Sequence, residues 1–227
     1  MVWPALQTTL LLAVPAVLFT AAALGWDNTA LFTLLTVVAA VIPFFHHFER
    51  RRPRPRDIMP IVVLAAVAAA GRVLFAPLPN FKPVTALVIV AGICLGRESG
   101  FMTGALAALA SNMFFGQGPW TPWQMYAWGM IGFFAGALER TGIFRRGWTV
   151  YVYGFAAALA YGLLLDSWYA VGFIRPLTWP AALAAYAAGA PFSLIHAAAT
   201  VAFLLPLYAP LKRMITRMKS KFGLHDF

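Results

Sequence analysis

Five arginines fall within the seven residues from Arg50 to Arg56, and a long apolar run lies on either side of them. Guanidinium groups in that number cannot be buried, so they must stay in water or on a polar surface while their flanks leave it. The same alternation recurs along the chain. Eight apolar segments can be marked, at about Trp3–Leu24, Thr29–Phe48, Asp57–Phe75, Pro83–Leu95, Ser99–Phe115, Pro122–Leu138, Trp148–Asp166 and Pro180–Leu207. Most have the roughly 20 residues that a helix needs to cross a bilayer. Pro83–Leu95 is short; it tilts little, extends through Gly96, or sits where the protein is thin. Of the 227 residues 62% are hydrophobic and 11% charged, and the mean hydropathy is +0.78. A soluble domain has roughly 25% charged residues. The expected fold is an all-α integral membrane protein of about eight spans.

The net charge of +10 invites a nucleic-acid partner until its placement is considered. Arg50, Arg51, Arg52, Arg54, Arg56, Arg97, Arg140, Arg145, Arg146, Lys212, Arg213, Arg217, Lys219 and Lys221 fall to one side of the segments. Only Arg72, Lys82 and Arg175 fall to the other. This is the positive-inside pattern, so the expected partner is the lipid bilayer and not nucleic acid. It predicts a multi-pass protein of the cell membrane with both termini in the cytoplasm. The first apolar run lacks a basic leader and a cleavage site and reads as a retained helix.

The organisation follows. Residues 1–48 form a two-helix hairpin closed on the outer side by Gly25-Trp26-Asp27-Asn28. Residues 49–56 are a Pro/Arg linker on the cytoplasmic headgroups, with His46 and His47 reaching the interface. Residues 57–208 form a six-helix membrane domain, and 209–227 a basic cytoplasmic tail. Ala65 and Ala69, and likewise Ala66 and Ala70, make small-residue faces suited to close helix packing, as do Gly132 and Gly136. Cys94 reads as a small buried hydrophobe.

Polar and aromatic groups gather at the outer ends. The stretch from Asn112 to Met125 holds Asn112, Gln117, Trp120, Trp123 and Gln124, with Gly118-Pro119 breaking one helix and Pro122 opening the next. It is either an interfacial turn with aromatic anchors or the polar mouth of a pocket between helices. The remaining outer ends contribute Asn80, Tyr126, Asp166 and Trp168. Asp166 comes 18 residues after Trp148, about 27 Å along a helix, which puts it near the outer surface. Arg72 and Asp166 form a structural ion pair or contact a ligand. His196 is expected to make an interhelical hydrogen bond. Ser99 and His196 raise an intramembrane hydrolase, but Arg97-Glu98-Ser99-Gly100 is a helix start, where serine commonly caps. A self-sufficient secondary transporter needs acids at mid-membrane and an internal repeat, neither of which is evident. No cofactor, metal site or catalytic residue is expected.

Four stretches carry a family resemblance: Gly71-Arg72-Val-Leu-Phe75; Pro79-Asn-Phe-Lys-Pro83; Gly92-x-x-Leu-Gly96-Arg-Glu-Ser-Gly100-Phe-x-x-Gly104; and Ser111-Asn112-Met-Phe-Phe-Gly-Gln-Gly-Pro-Trp-Thr-Pro-Trp-Gln-Met125. Together they resemble the substrate-binding S component of energy-coupling factor transporters, over about Asp57 to Leu207. The first two helices depart from that six-helix family. The resemblance implies a non-enzymatic subunit that binds a vitamin-like small molecule in an outward-facing pocket. It also implies a transmembrane coupling subunit and two ATP-binding-cassette ATPases as partners, and this chain has no phosphate-binding loop of its own. By the same resemblance Ala65 and Ala69 meet the coupling subunit, and Pro77 to Pro83 form a lid. The motif resembles that of cobalamin or corrinoid S components, with thiamine or pyrimidine types, which share parts of it, as the alternative.

Overall fold

The computed structural model describes residues 9, 13, 14, 16, 17, 20, 29–50 and 52–224. Apart from those single positions, the expected first helix Trp3–Leu24 and the loop Gly25–Asn28 lie outside the described residues, as does the side chain of His47. Every described regular element is a helix. They are α1 (Thr29–Arg50), α2 (Pro55–Leu74), α3 (Val84–Leu95), α4 (Arg97–Phe115), α5 (Trp120–Thr141), a 3-10 turn at Ile143–Arg145, α6 (Thr149–Phe173) and α7 (Trp179–Phe222). Three of them, α2, α6 and α7, are long and apolar enough to cross a membrane.

Short connections make successive helices antiparallel neighbours. The starts of α2, α4 and α6 therefore share one end with the finishes of α3, α5 and α7. This is the arginine-rich end. There Asp57 caps α2 by accepting from the Arg54 backbone N–H at 3.2 Å and from Arg54 Nε at 2.8 Å. Arg54 Nη2 also donates to the Gly223 carbonyl at 2.8 Å, joining the linker to the end of α7. The opposite, aromatic end carries the finish of α2, the finish of α4 and the start of α5.

α3 is the axis of the bundle. All twelve of its residues are buried among the neighbouring helices. It does not extend through Gly96, which turns the chain at φ 95° directly into α4. α4 and α5 close on α3 through glycine. A methyl added at Gly92 or Gly100 meets the Gly132 carbonyl, and one at Gly136 meets the Arg97 backbone. Small residues at helix contacts allow this approach.

α6 and α7 pack as a pair against α3 and α5. Tyr153 Oη donates to the Ile131 carbonyl at 2.6 Å, fixing α6 on α5. α7 continues well past Leu207 to Phe222 and ends at Gly223, φ 57°. The segment read as a tail is thus helical, and part of its charge serves the protein. Lys219 Nζ donates to the Cys94 carbonyl at the end of α3 (2.9 Å), and Lys212 pairs with Glu139 at 3.3 Å. Cations at helix C-termini satisfy carbonyls that the helix leaves open. α1 lies along α4, α5 and α6, where Phe44 stacks on Phe101 at 4.0 Å and meets Phe133 edge-on at 5.7 Å.

Candidate functional site

The last turn of α2 carries Gly71 and Arg72. Pro83, at the start of α3, packs where a Gly71 side chain would stand. Arg72 therefore emerges beside the ends of α4 and α5. Its Nη1 donates to Ser111 Oγ and Asn112 Oδ1, both at 2.7 Å, and at the longer 3.5 Å to Gln124 Oε1. The guanidinium carbon lies 4.7 Å from the centre of the Phe115 ring and 5.1 Å from that of Trp128. These contacts fix the plane of the cation.

Asn112 is the hub. It is fully buried, and its Nδ2 donates to Gln124 Oε1 at 2.8 Å and Thr121 Oγ1 at 3.0 Å. Thr121 Oγ1 donates to Gln117 Oε1 at 2.9 Å and accepts from the Gly118 N–H at 3.3 Å. Gln117 Nε2 closes back on the Leu109 carbonyl at 3.1 Å. The turn between α4 and α5 is thus tied by side chains at both of its ends.

A second set continues inward from Arg72. Trp128 Nε1 donates to Thr85 Oγ1 at 3.0 Å, and Thr85 Oγ1 lies 2.7 Å from His196 Nε2. Tyr161 stacks on Trp128 at 4.7 Å and meets His196 edge-on at 5.0 Å. An indole N–H only donates, so Thr85 accepts from it and has its own hydroxyl hydrogen for His196. The arrangement that uses each group once holds a neutral imidazole with its proton on Nδ1. His196 makes the interhelical bond expected of it, and its Nε2 is engaged by Thr85, not Ser99. Thr85→Val is expected to leave two buried groups, the Trp128 indole and the His196 ring nitrogen, without partners. A loss of about 1–3 kcal/mol per orphaned group, read as a lowered melting temperature, checks this.

The residues expected at the mouth divide into groups. Asn112, Gln117 and Gln124 come together, joined by Ser111, Thr121 and Arg72. Trp123, Tyr126 and Trp168 do not join them. Trp123 and Tyr126 are fully buried on the other side of α5, and Trp123 stacks on Trp168 at 6.0 Å in a core shared with α1. A helix turns about 100° per residue, so positions 123 and 126 share one face while 124 and 128 share another. The Trp123 indole nitrogen is buried there with no hydrogen-bond partner among the described residues. Trp120 is exposed and covers Gly118. Asn80 is exposed in the loop after α2, with φ 54°. Asp166 is half-buried against Gly189 of α7 and makes no ion pair with Arg72 among the described residues.

Lys82, in the same loop, donates to the carbonyls of Phe75 and Leu78 and so caps the end of α2. Partial burial and the charge of Arg72 hold its ammonium below the usual lysine value. Ala65 and Ala69 are 3% and 5% exposed, covered within the chain. The stripe one residue on, Ala66 and Ala70 with Val63 and Val67, is exposed.

Sequence reasoning missed Ser111, Thr121, Thr85, Trp128 and Tyr161 as members of this site. A serine or threonine in an apolar helix usually bonds its own backbone and gives no signal. Trp128 had one, since it stands four residues from Gln124 on the same helix face.

A family model described as a family of unknown function, DUF6580, matches residues 52–220. That is most of the chain and includes every element of the site, so the chain belongs to this family. No curated protein matches it, and no solved structure does.

Proposed function

We propose that this DUF6580 member is the substrate-capturing subunit of an energy-coupling factor importer. In this reading α2–α7 are the six-helix S-component unit, preceded by a two-helix hairpin that ends in α1, for eight spans in all. The arginine-rich end faces the cytoplasm, together with both termini. The aromatic end faces outward and receives a vitamin-like small molecule. A separate coupling subunit and two ATP-binding-cassette ATPases supply the energy, and the chain catalyses no reaction of its own. What supports the reading most is a convergence. The stretches that carry the resemblance are far apart in sequence, yet Arg72, Asn112 and Gln124 from three helices meet in one hydrogen-bonded cluster.

The lead substrate is cobalamin or another corrinoid; a thiamine or pyrimidine type is the alternative. The purified chain is incubated with cobalamin, and the visible absorbance of its gel-filtration peak is read. A retained corrin spectrum near one per chain supports the ligand. A colourless peak removes cobalamin as the lead.

The burial of Ala65 and Ala69 moves the proposed coupling-subunit contact to the exposed stripe of Ala66 and Ala70. Ala66→Leu or Ala70→Leu is expected to lower recovery of the assembled transporter at least several-fold and to leave the melting temperature of the isolated chain unchanged. Ala65→Leu is expected to overpack the bundle and destabilise the isolated chain by about 1–3 kcal/mol. Co-purification with the coupling subunit, alongside thermal melting, separates the two effects.

A further inference from the structure

We infer that Arg72 is an anion-binding group: its Nε–Nη2 edge takes a carboxylate or phosphate of the molecule carried at the aromatic end. The inference rests on the import reading only in calling that molecule a substrate.

Arg72 commits only part of its donor set within the chain. Nη1 makes all of the hydrogen bonds, and every acceptor is a neutral oxygen. Nε and Nη2 donate to no described residue, and Arg72 as a whole is only partly buried. The ion pairs of the described residues, Arg54–Asp57, Arg97–Glu98 and Lys212–Glu139, all belong to the arginine-rich end. Arg72 takes part in none of them. A second cation, Lys82, is close enough to feel its charge. The aromatic end therefore holds two cations that no described carboxylate pairs with; its one described acid, Asp166, lies against Gly189 of α7.

Two other accounts of Arg72 fall short. It stands in the last turn of α2, where the helix dipole favours a cation. That steadies the charge but uses none of the remaining N–H groups. A structural role in tying α2 to α4 and α5 explains Nη1 alone. A neutral carbonyl on a ligand would accept from one N–H and leave the charge uncompensated. A carboxylate or phosphate accepts from Nε and Nη2 together, in the paired geometry that guanidinium groups favour. Ser111 and Asn112 on one side and the Phe115 and Trp128 rings on the other hold the cation in place, so the free edge is already oriented. The stacked Trp128 and Tyr161 rings offer apolar surface beside it.

The probes are benzoate, benzamide and inorganic phosphate, with chloride at matched ionic strength. They are titrated into the full chain in zwitterionic detergent and read by tryptophan fluorescence. Benzoate and benzamide share a shape and differ in charge. The expected result is a saturable response to benzoate and phosphate, at least ten-fold tighter than to benzamide or chloride. Arg72→Gln is expected to weaken it at least ten-fold. Arg72→Lys keeps the charge without the fork and is expected to fall between. Lys82→Gln, away from the edge, is expected to weaken it a few-fold. Melting temperatures identify any variant that fails to fold, and the Lys82 variant keeps the test decisive if both Arg72 variants fail. Equal responses to benzoate and benzamide overturn the inference. So does an unchanged response in a folded Arg72 variant, or in Lys82→Gln if no Arg72 variant folds. Competition by added phosphatidylglycerol would identify a lipid headgroup and overturn the assignment to a soluble substrate; no competition supports it. Import that needs the coupling module but ignores charge overturns this inference and leaves the import reading standing. Anion binding by a chain that imports nothing does the reverse.

Discussion

Gly132→Leu yields little or no folded protein. A methyl at this position already meets the Gly100 carbonyl and the atoms beside it. Those atoms are backbone, so no flexible side chain can swing away; α4 and α5 must separate. Overpacking of a well-packed interior typically costs about 1–3 kcal/mol, and a branched side chain forced between two backbones stands at or above the top of that range. Folded proteins have only about 5–15 kcal/mol to lose. The separation also spreads to α3, because Gly92 packs against the same Gly132 carbonyl. Gly147→Ala is the matched control, since nothing lies within 4 Å of an added methyl there. The comparison is read as recovery of monodisperse protein after detergent extraction. Normal yield and melting of Gly132→Leu would show that the helices do not pack through these glycines.

Asn112→Leu is expected to destabilise the chain by about 2–4 kcal/mol and to abolish substrate retention. The estimate follows from what the substitution strands. The Arg72 cation loses its Asn112 acceptor, and Gln124 and Thr121 lose a donor. Each buried group left without a partner costs about 1–3 kcal/mol, and more when it is charged. Gln124 partly compensates, since its Oε1 also lies within reach of Arg72. Asn112→Asp has a different sign. It keeps the acceptor and adds a carboxylate beside an arginine that has none, while Gln124 and Thr121, which lose the same donor, must turn to donate to it. It is expected to hold the fold yet weaken binding of an anionic ligand, because the ligand's counter-charge is then supplied by the protein. Thermal melting and ligand retention, measured on both variants, separate the structural role of Asn112 from its role in the site.

Much of the architecture was legible because apolar stretches and basic stretches alternate along the chain. Apolar segments and basic connections marked most of the helices. Gly118-Pro119 marked one break; at Gly96, where extension was left open, the positive φ ends α3. The boundary at Leu207 was not legible. Pro206 and Pro210 lie beside it, and the cations that follow read as a basic tail. The structure instead carries α7 through both prolines and gives Lys212 and Lys219 acceptors on α5 and α3. Such tertiary partners leave no trace in local sequence. Half of the candidate site was equally plain, since Asn112, Gln117 and Gln124 are amides in an apolar setting and had to find one another. Trp123 and Trp168 were grouped with them on chemical character. Helical phase sends them elsewhere, and that phase can be read from the sequence once α5 is known to start at Trp120.

If this chain captures substrate for a separate energy-supplying module, the two purify together. The chain is tagged in its own membrane, extracted in mild detergent and purified, and the subunits that come with it are counted. The account predicts one copy of this chain with one transmembrane coupling subunit and two ATP-binding-cassette ATPases, and ATP hydrolysis by the assembly. A chain that purifies alone and accumulates its substrate in vesicles energised only by an ion gradient would contradict it.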